Sequence, residues 1–296
     1  MNAPAVIVVT GATGFTGPFV VRELARRFPG TRLRCFVRRS SDRRALEGTP
    51  VEFAEGDLHD EASLAAAFEG ADTLVNVASL GFSWVDPLFS AIRRSQLRRG
   101  VFVSTTAILT KLPVRSRAHR EHGEQLVKES GLAWTILRPT MIYGTQGDRN
   151  IARLIAFIER SPIVPIIAPE ARQQPVHVED VASAAAVVVD NPRTIGQIYN
   201  LSGREPLSFE ALVREAASAA GRKPLFVRVP FAPVVGIVRL YNAMVSKPRI
   251  KVEQVLRLQE DKAFDHSAAR NDFGFSPRSF AEGVRDEVRT GVTRKA

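Results

Sequence analysis

Four unbroken apolar residues, Val6, Ile7, Val8 and Val9, run straight into glycines at positions 11, 14 and 17, and this constrains the chain more than any other feature. Such a run fits a strand buried on both faces. A strand that enters a glycine turn and then a helix beginning near Phe15 aims free backbone N–H groups and a positive dipole end at one point, which makes an anion site. In the spacing G-x-x-G-x-x-G, Gly11 makes the tight turn and Gly14 lets backbone approach a pyrophosphate. Gly17 lets the helix pack close to the strand. The amphipathic run Phe19, Val20 and Leu24 that follows distinguishes this stretch from chance glycines.

Strand and helix patterns then alternate. Helix Phe19–Phe28 is stopped by Pro29-Gly30, and Arg32–Val37 reads as a strand, with Cys35 pointing into a core. Val51–Ala54, Asp72–Val77, Val101–Val103 and Ala133–Leu137 read as further strands, separated by helices over Glu61–Phe68, Pro87–Arg98 and Arg117–Ser130. This order implies an α/β fold with a doubly wound parallel sheet. After Gly144 the rhythm changes. A helix over Asn150–Glu159 precedes the proline-interrupted Ser161–Pro169, and a short strand near Gln174–His177 leads into a helix over Val178–Val189. Gln197–Leu201 reads as one more buried strand, followed by a helix at Phe209–Ala220, a strand at Leu225–Val229, helical stretches through Ala243 and Leu256, and a last helix near Phe280–Val288. The expected organisation is a dinucleotide-binding domain over 1–145, completed by the strand near 197–201, and a smaller C-terminal α+β lobe over 146–296 on the substrate side.

The single cysteine excludes an internal disulfide and fits a reducing compartment. Met1–Ala5 carries no basic leader, and the longest later apolar stretch, Phe231–Val245, is too short to span a bilayer. A cytoplasmic protein without a membrane span is expected. The formal charge of +10 raises the question of nucleic acid or a membrane surface, but the arginine pairs are scattered over helix ends and no aromatics are interleaved with them. A solvated arginine-rich surface accounts for them, and no nucleic-acid partner is expected.

At the end of the second strand, an acidic residue would accept hydrogen bonds from an adenosine ribose, whereas arginine holds a 2′-phosphate. The chain places Arg38, Arg39, Ser40 and Ser41 there and no acid before Asp42, which favours NADP(H) over NAD(H). Asp57 falls at the carboxyl end of the third strand, where an adenine contact and helix N-capping are both open. Ser104, Thr105 and Thr106 fall at the end of the fifth, as site hydroxyls or as turn formers.

These residues carry a family resemblance. The chain resembles the short-chain dehydrogenase/reductase superfamily in its extended and atypical branches, the epimerase/dehydratase-like proteins and their NmrA-like relatives. The resemblance rests on Thr10–Gly17, the Gly56-Asp57-Leu58 corner, Leu137–Gly144, Val176–Ala182, Ile198–Gly203 and the ending Phe273–Gly283. It implies a Rossmann-like domain holding a nicotinamide dinucleotide, with the lobe closing over a small-molecule substrate. It further implies cofactor contacts from Thr13, Phe15 and Thr16 beside the glycines, from Leu58, Ala78, Ser79 and Ser104 at strand ends, and from Pro139, Thr140, Met141 and Ile142. A monomer or homodimer is expected.

Active members use a Tyr-x-x-x-Lys pair on the helix after the fifth strand. Aligning Gly123-Glu124 with the family's pattern puts Ser116 at the tyrosine and Arg120 at the lysine. Arg120 can still bind ribose hydroxyls, but it stays protonated, and Ser116 lacks the acidity of a phenol. His119 and His122 lie on the same helix as acid/base candidates or surface residues. Thr106, or Thr105 beside it, matches the family's substrate-binding serine, and Tyr143 is a further catalytic candidate. Two functions follow: an NADP(H)-dependent oxidoreductase of epimerase/dehydratase-like type acting on a small carbonyl or carbinol substrate, or a catalytically silent NADP(H)-binding sensor or regulatory protein.

Overall fold

A computed structural model describes residues 4–112, 115–145, 147–148, 150–245 and 252–293. Its centre is a seven-stranded, all-parallel sheet built from β1 (Val6–Thr10), β2 (Arg32–Val37), β3 (Glu52–Glu55), β4 (Thr73–Asn76), β5 (Arg99–Val103), β6 (Ala133–Pro139) and a later strand, Gln197–Leu201. The order across the sheet is β3-β2-β1-β4-β5-β6 followed by Gln197–Leu201, so the topology reverses between β1 and β4. This is a Rossmann-like α/β fold.

Alternation along β1 shows how the layers form. Ile7 and Val9 join one buried cluster, with Val20, Val21 and Leu24 of α1 (Gly17–Arg27), while Val6 and Val8 join a second. That second cluster holds Leu64 and Phe68 of α2 (Glu61–Phe68), Leu88 and Phe89 of α3 (Val85–Arg93) and Val127 of α4 (Arg115–Lys128). Successive side chains on a strand point to opposite faces, so one apolar run feeds both cores. Cys35 is buried as expected, and burial pushes its thiol up to about 12.

Some boundaries differ from the sequence reading. The first helix begins at Gly17, with Pro18 in its first turn, where a missing N–H costs nothing. The third helix ends at Arg93, because Ser95 turns its hydroxyl onto the Ile92 carbonyl at 2.7 Å and closes the last turn.

Beyond β7 (Ile142–Tyr143) the chain builds the lobe from α5 (Ile151–Arg160), β8 (Ile163–Ile167), β9 (Arg172–Gln173) and β10 (Val176–His177). It then passes through α6 (Val178–Val187) to β11 (Gln197–Leu201) in the main sheet, α6 packing against α1. The remainder comprises β12 (Leu207–Ser208), α7 (Phe209–Ala219), β13 (Leu225–Val229), α8 (Phe231–Met244), α9 (Val252–Leu256), α10 (Ser267–Phe273) and α11 (Phe280–Thr293). Three two-stranded pairs, β7 with β10, β9 with β12 and β8 with β13, accompany a third apolar core between α5, α7 and α11. Strand β8 falls inside the stretch read as proline-interrupted. It tolerates Pro165 because it sits in a two-stranded pair with one edge open, and an edge needs no ladder donor from every residue.

Arg99 is buried at the start of β5. It donates to the Val188 and Val189 carbonyls and to the hydroxyls of Thr135 and Thr194, tying the end of α6 to the sheet edge away from the glycine loop.

Candidate dinucleotide site

The glycine loop joins the carboxyl end of β1 to α1 at the point where strand order reverses, the place where open α/β sheets hold ligands. Gly11 adopts φ +73°, and a Cβ there would lie 2.6 Å from the Ala78 amide nitrogen. A Cβ on Gly17 would lie 2.2 Å from the Gly11 carbonyl oxygen, so this glycine is what lets the helix approach the loop. Gly14 differs: its amide donates to the Gly11 carbonyl at 3.0 Å, and a Cβ would touch only that carbonyl oxygen, at 3.2 Å. Its outward side is open. Asn76 buttresses the loop from β4, accepting from the Thr10 hydroxyl at 2.6 Å and donating to the Ala78 carbonyl at 2.8 Å.

Beside the loop is a cavity of about 320 Å³ lined by Gly11, Thr13, Gly14, Arg38, Ser41, Asp57, Leu58, His59 and Trp84, among others. A second, more open one of about 580 Å³ is lined by Arg38, Arg39, Ser40, Glu55, Gly56 and Asp57, so the two share Arg38 and Asp57. Both nearby carboxylates are engaged: Glu55 pairs with Arg43, and Asp57 accepts from the His59 amide at 2.9 Å and lies 3.1 Å from its ring. The His59 amide holds the Asp57 carboxyl below its ordinary value, with Arg38 contributing. Among the described residues neither Arg38 nor Arg39 is hydrogen-bonded to a carboxylate. Capping of α2 falls to Asp60, whose carboxylate accepts from Ala62, and not to Asp57.

An open loop flanked by backbone N–H groups and a cavity lined by Gly11, Thr13, Gly14 and Arg38 fit a dinucleotide in shape and charge.

The remaining candidates lie at the ends of β4, β5 and β6. Ala78 is pressed against Gly11, and the Ser79 carbonyl accepts from the Trp84 indole at 3.0 Å. Trp84 stacks on exposed Phe82 and meets His59 edge-on, forming an aromatic rim that the sequence reading missed. The Arg120 side chain lies over Gly81, where a Cβ would stand 3.1 Å from its Cγ. Burial pulls the Arg120 guanidinium below its ordinary value, and the charge of Arg257 adds to this. Arg120 thus faces the turn after β4.

The Thr105 hydroxyl accepts from the Ala107 amide at 3.1 Å, leaving its own proton available. Thr106 is buried, and its hydroxyl donates to the Pro139 carbonyl at 3.3 Å. Ser104 donates to Glu124 at 2.6 Å, and Thr140 donates to the Gln174 carbonyl at 2.5 Å. Met141 and Ile142 are half-buried beside it. His119 is exposed, and His122 lies 2.8 Å from Asp86 on α3. The side chain of Ser116 lies outside the described residues.

Tyr143 requires a correction. Its ring is buried against Phe280 and edge-on to His177, and a Cβ on Gly283 would fall 2.1 Å from its hydroxyl oxygen. Burial raises its phenol far above the ordinary range. It belongs to the lobe core and does not line the dinucleotide cavity.

With this geometry in hand, the family model described as NAD(P)H-binding matches residues 11–192, more than half of the chain. The chain belongs to the NAD(P)H-binding family. The NAD(P)H-binding segment ends at Asn191-Pro192, just before β11, so it spans the glycine loop, both cavities and the ends of β4 to β6. Among relatives, the chain is 29% identical over 265 residues to "Ceramide reductase" of Caulobacter vibrioides, covering 84% of this chain and 82% of that one. It is 26% identical over 322 residues to "Sterol demethylase protein B" of Methylococcus capsulatus, covering 95% and 96%. The solved structure described as gox2253 superposes with a TM-score of 0.82 at 25% identity over 98% of both chains. The resemblance to the extended short-chain dehydrogenase/reductase proteins is borne out.

Proposed function

We propose that this NAD(P)H-binding protein is an NADP(H)-dependent oxidoreductase that acts on a carbonyl or carbinol carbon. The observation that carries the cofactor preference is Arg38, shared by both cavities while the neighbouring carboxylates Glu55 and Asp57 are held by Arg43 and His59. A guanidinium pairs with a 2′-phosphate through two hydrogen bonds, whereas a carboxylate would repel it. When bound, the cofactor supplies the hydride at nicotinamide C4. The chain's own residues do the rest: Arg120 binds ribose hydroxyls, Thr105 offers a hydrogen bond to the substrate oxygen, and His119 exchanges the proton. The two relatives are named for chemistry on lipids, which favours a lipid-like carbonyl or carbinol over a nucleotide sugar.

A silent dinucleotide-binding protein is the second reading, and serine in place of the family's tyrosine at position 116 is what favours it. Absorbance of NADPH, followed against aldehydes, ketones and long-chain keto compounds, separates the two. The enzyme reading expects oxidation that is abolished by His119→Ala with NADPH binding intact. Tight NADPH binding without turnover on any substrate, and a trace of activity on installing Ser116→Tyr with Arg120→Lys, would establish the silent binder.

A further inference from the structure

Helix α8 is apolar around most of its circumference, yet one whole side faces solvent. Phe231, Val234, Val235, Val238 and Tyr241 are buried or half-buried, whereas Ile237, Leu240 and Met244 are 68%, 63% and 76% exposed. Gly236 and Ala243 lie on the same outer side, and a Cβ on Gly236 would meet no atom within 4 Å. The spacing 236, 237, 240, 243, 244 is one continuous helical face. Pro230 alone separates α8 from β13, where exposed Leu225 pairs in register with exposed Ile163 of β8. An apolar surface of this extent marks an interaction site.

Charge identifies the occupant. Between Ala216 and Val252 the sequence has seven lysines and arginines and no carboxylate, among them Arg239 on α8 and Lys247, Arg249 and Lys251 directly after it, although Arg228 of β13 is already held by Glu210. Among the described residues no helix is long and apolar enough to cross a membrane. A second copy docking face to face on this surface would bring the same cations together, since a two-fold contact pairs each patch with itself.

We infer that the outer face of α8 lays this protein on an anionic lipid surface. Ile237, Leu240 and Met244 enter the boundary between headgroups and acyl chains, and exposed Arg239 on the same helix meets the lipid phosphates. This inference stands independently of the proposed chemistry.

Co-sedimentation of the full chain with phosphatidylcholine vesicles, with and without about 30% phosphatidylglycerol, tests it. Binding is expected to the anionic vesicles alone, and Leu240→Asp should lower partitioning by about tenfold or more with an unchanged melting curve. Met244→Asp, two turns away from Ile237 on the same face, is the second variant should the first fail to fold. Equal binding to neutral vesicles, partitioning that ignores both substitutions, or a dimer in light scattering that Leu240→Asp splits without any vesicle binding would overturn the inference.

Discussion

Glu124 of α4 holds Arg138 at the end of β6 in a two-pronged pair, with Nε donating to Oε1 at 2.9 Å and a terminal guanidinium nitrogen donating to Oε2. The carboxylate is only 2% exposed and also accepts from the Ser104 hydroxyl at 2.6 Å. The pair therefore locks the helix that carries Arg120 to the strand ends that carry Ser104 and Thr140. Removing one partner of a buried pair strands the other, so Glu124→Ala should destabilise the protein by about 3–5 kcal/mol in urea titration. Glu124→Gln, which keeps the shape and an acceptor, should cost less.

The three loop glycines should respond differently to substitution. Gly17→Ala drives a methyl group into the Gly11 carbonyl and should lower stability by at least about 1–3 kcal/mol, read from the melting curve. Gly14→Val meets only one carbonyl oxygen within the protein, so the chain should stay folded while NADPH affinity falls by about tenfold or more in calorimetry. A folded Gly14→Val protein with undiminished affinity would place the pyrophosphate elsewhere.

Cofactor preference should reside mainly in Arg38. Arg38→Ala should narrow the difference between NADPH and NADPH's 2′-dephosphorylated counterpart NADH by about 1–3 kcal/mol, the range for a charge-assisted hydrogen bond. Arg39 lines only the outer of the two cavities, so Arg39→Ala should narrow it less. Equal affinities for both dinucleotides in the parent protein would refute the preference.

Glu287 on α11 gives stability a pH dependence. Burial pushes its carboxyl up to about 9, and the charge of Asp148 adds to the shift. A carboxyl whose folded value lies above its unfolded one binds its proton more tightly when folded. Its contribution is complete below the unfolded value of about 4.5 and is lost as pH rises towards about 9. The unfolding free energy from denaturant titration should therefore decline from pH 5 to pH 9, by an amount on the order of a few kcal/mol, and Glu287→Gln should flatten that decline. An unchanged slope in the variant would assign the effect to other groups.

The parts of the fold legible in the sequence were those buried on both faces. Val6–Val9 read as a strand because a parallel strand covered by helices on both faces leaves no polar alternation to blur the pattern. Strand β8 was hidden because Pro165 breaks the expected composition, although an edge position accommodates it. The pairing of Glu124 with Arg138 was not readable either, since it joins a helix to a strand and no local periodicity links the two. Tyr143 misled for the opposite reason: a polar tip close to the Pro139–Gly144 turn says nothing about which way the ring points, and here it points into the lobe core. What sets the basic residues beside α8 apart from the scattered arginine pairs is the lack of any acid among them.

Strand β11 reaches the sheet only after the chain has passed out through α5, β8 and α6 and returned. During synthesis β6 therefore emerges as a bare sheet margin, with Thr135, Ile136 and Leu137 ready to pair with any passing strand, long before its partner leaves the ribosome. In that interval the open β6 edge is a template for aggregation. A shortened protein made to isolate the nucleotide-holding half would be caught in it permanently if it stopped near Thr145, and so has to carry β11 with it.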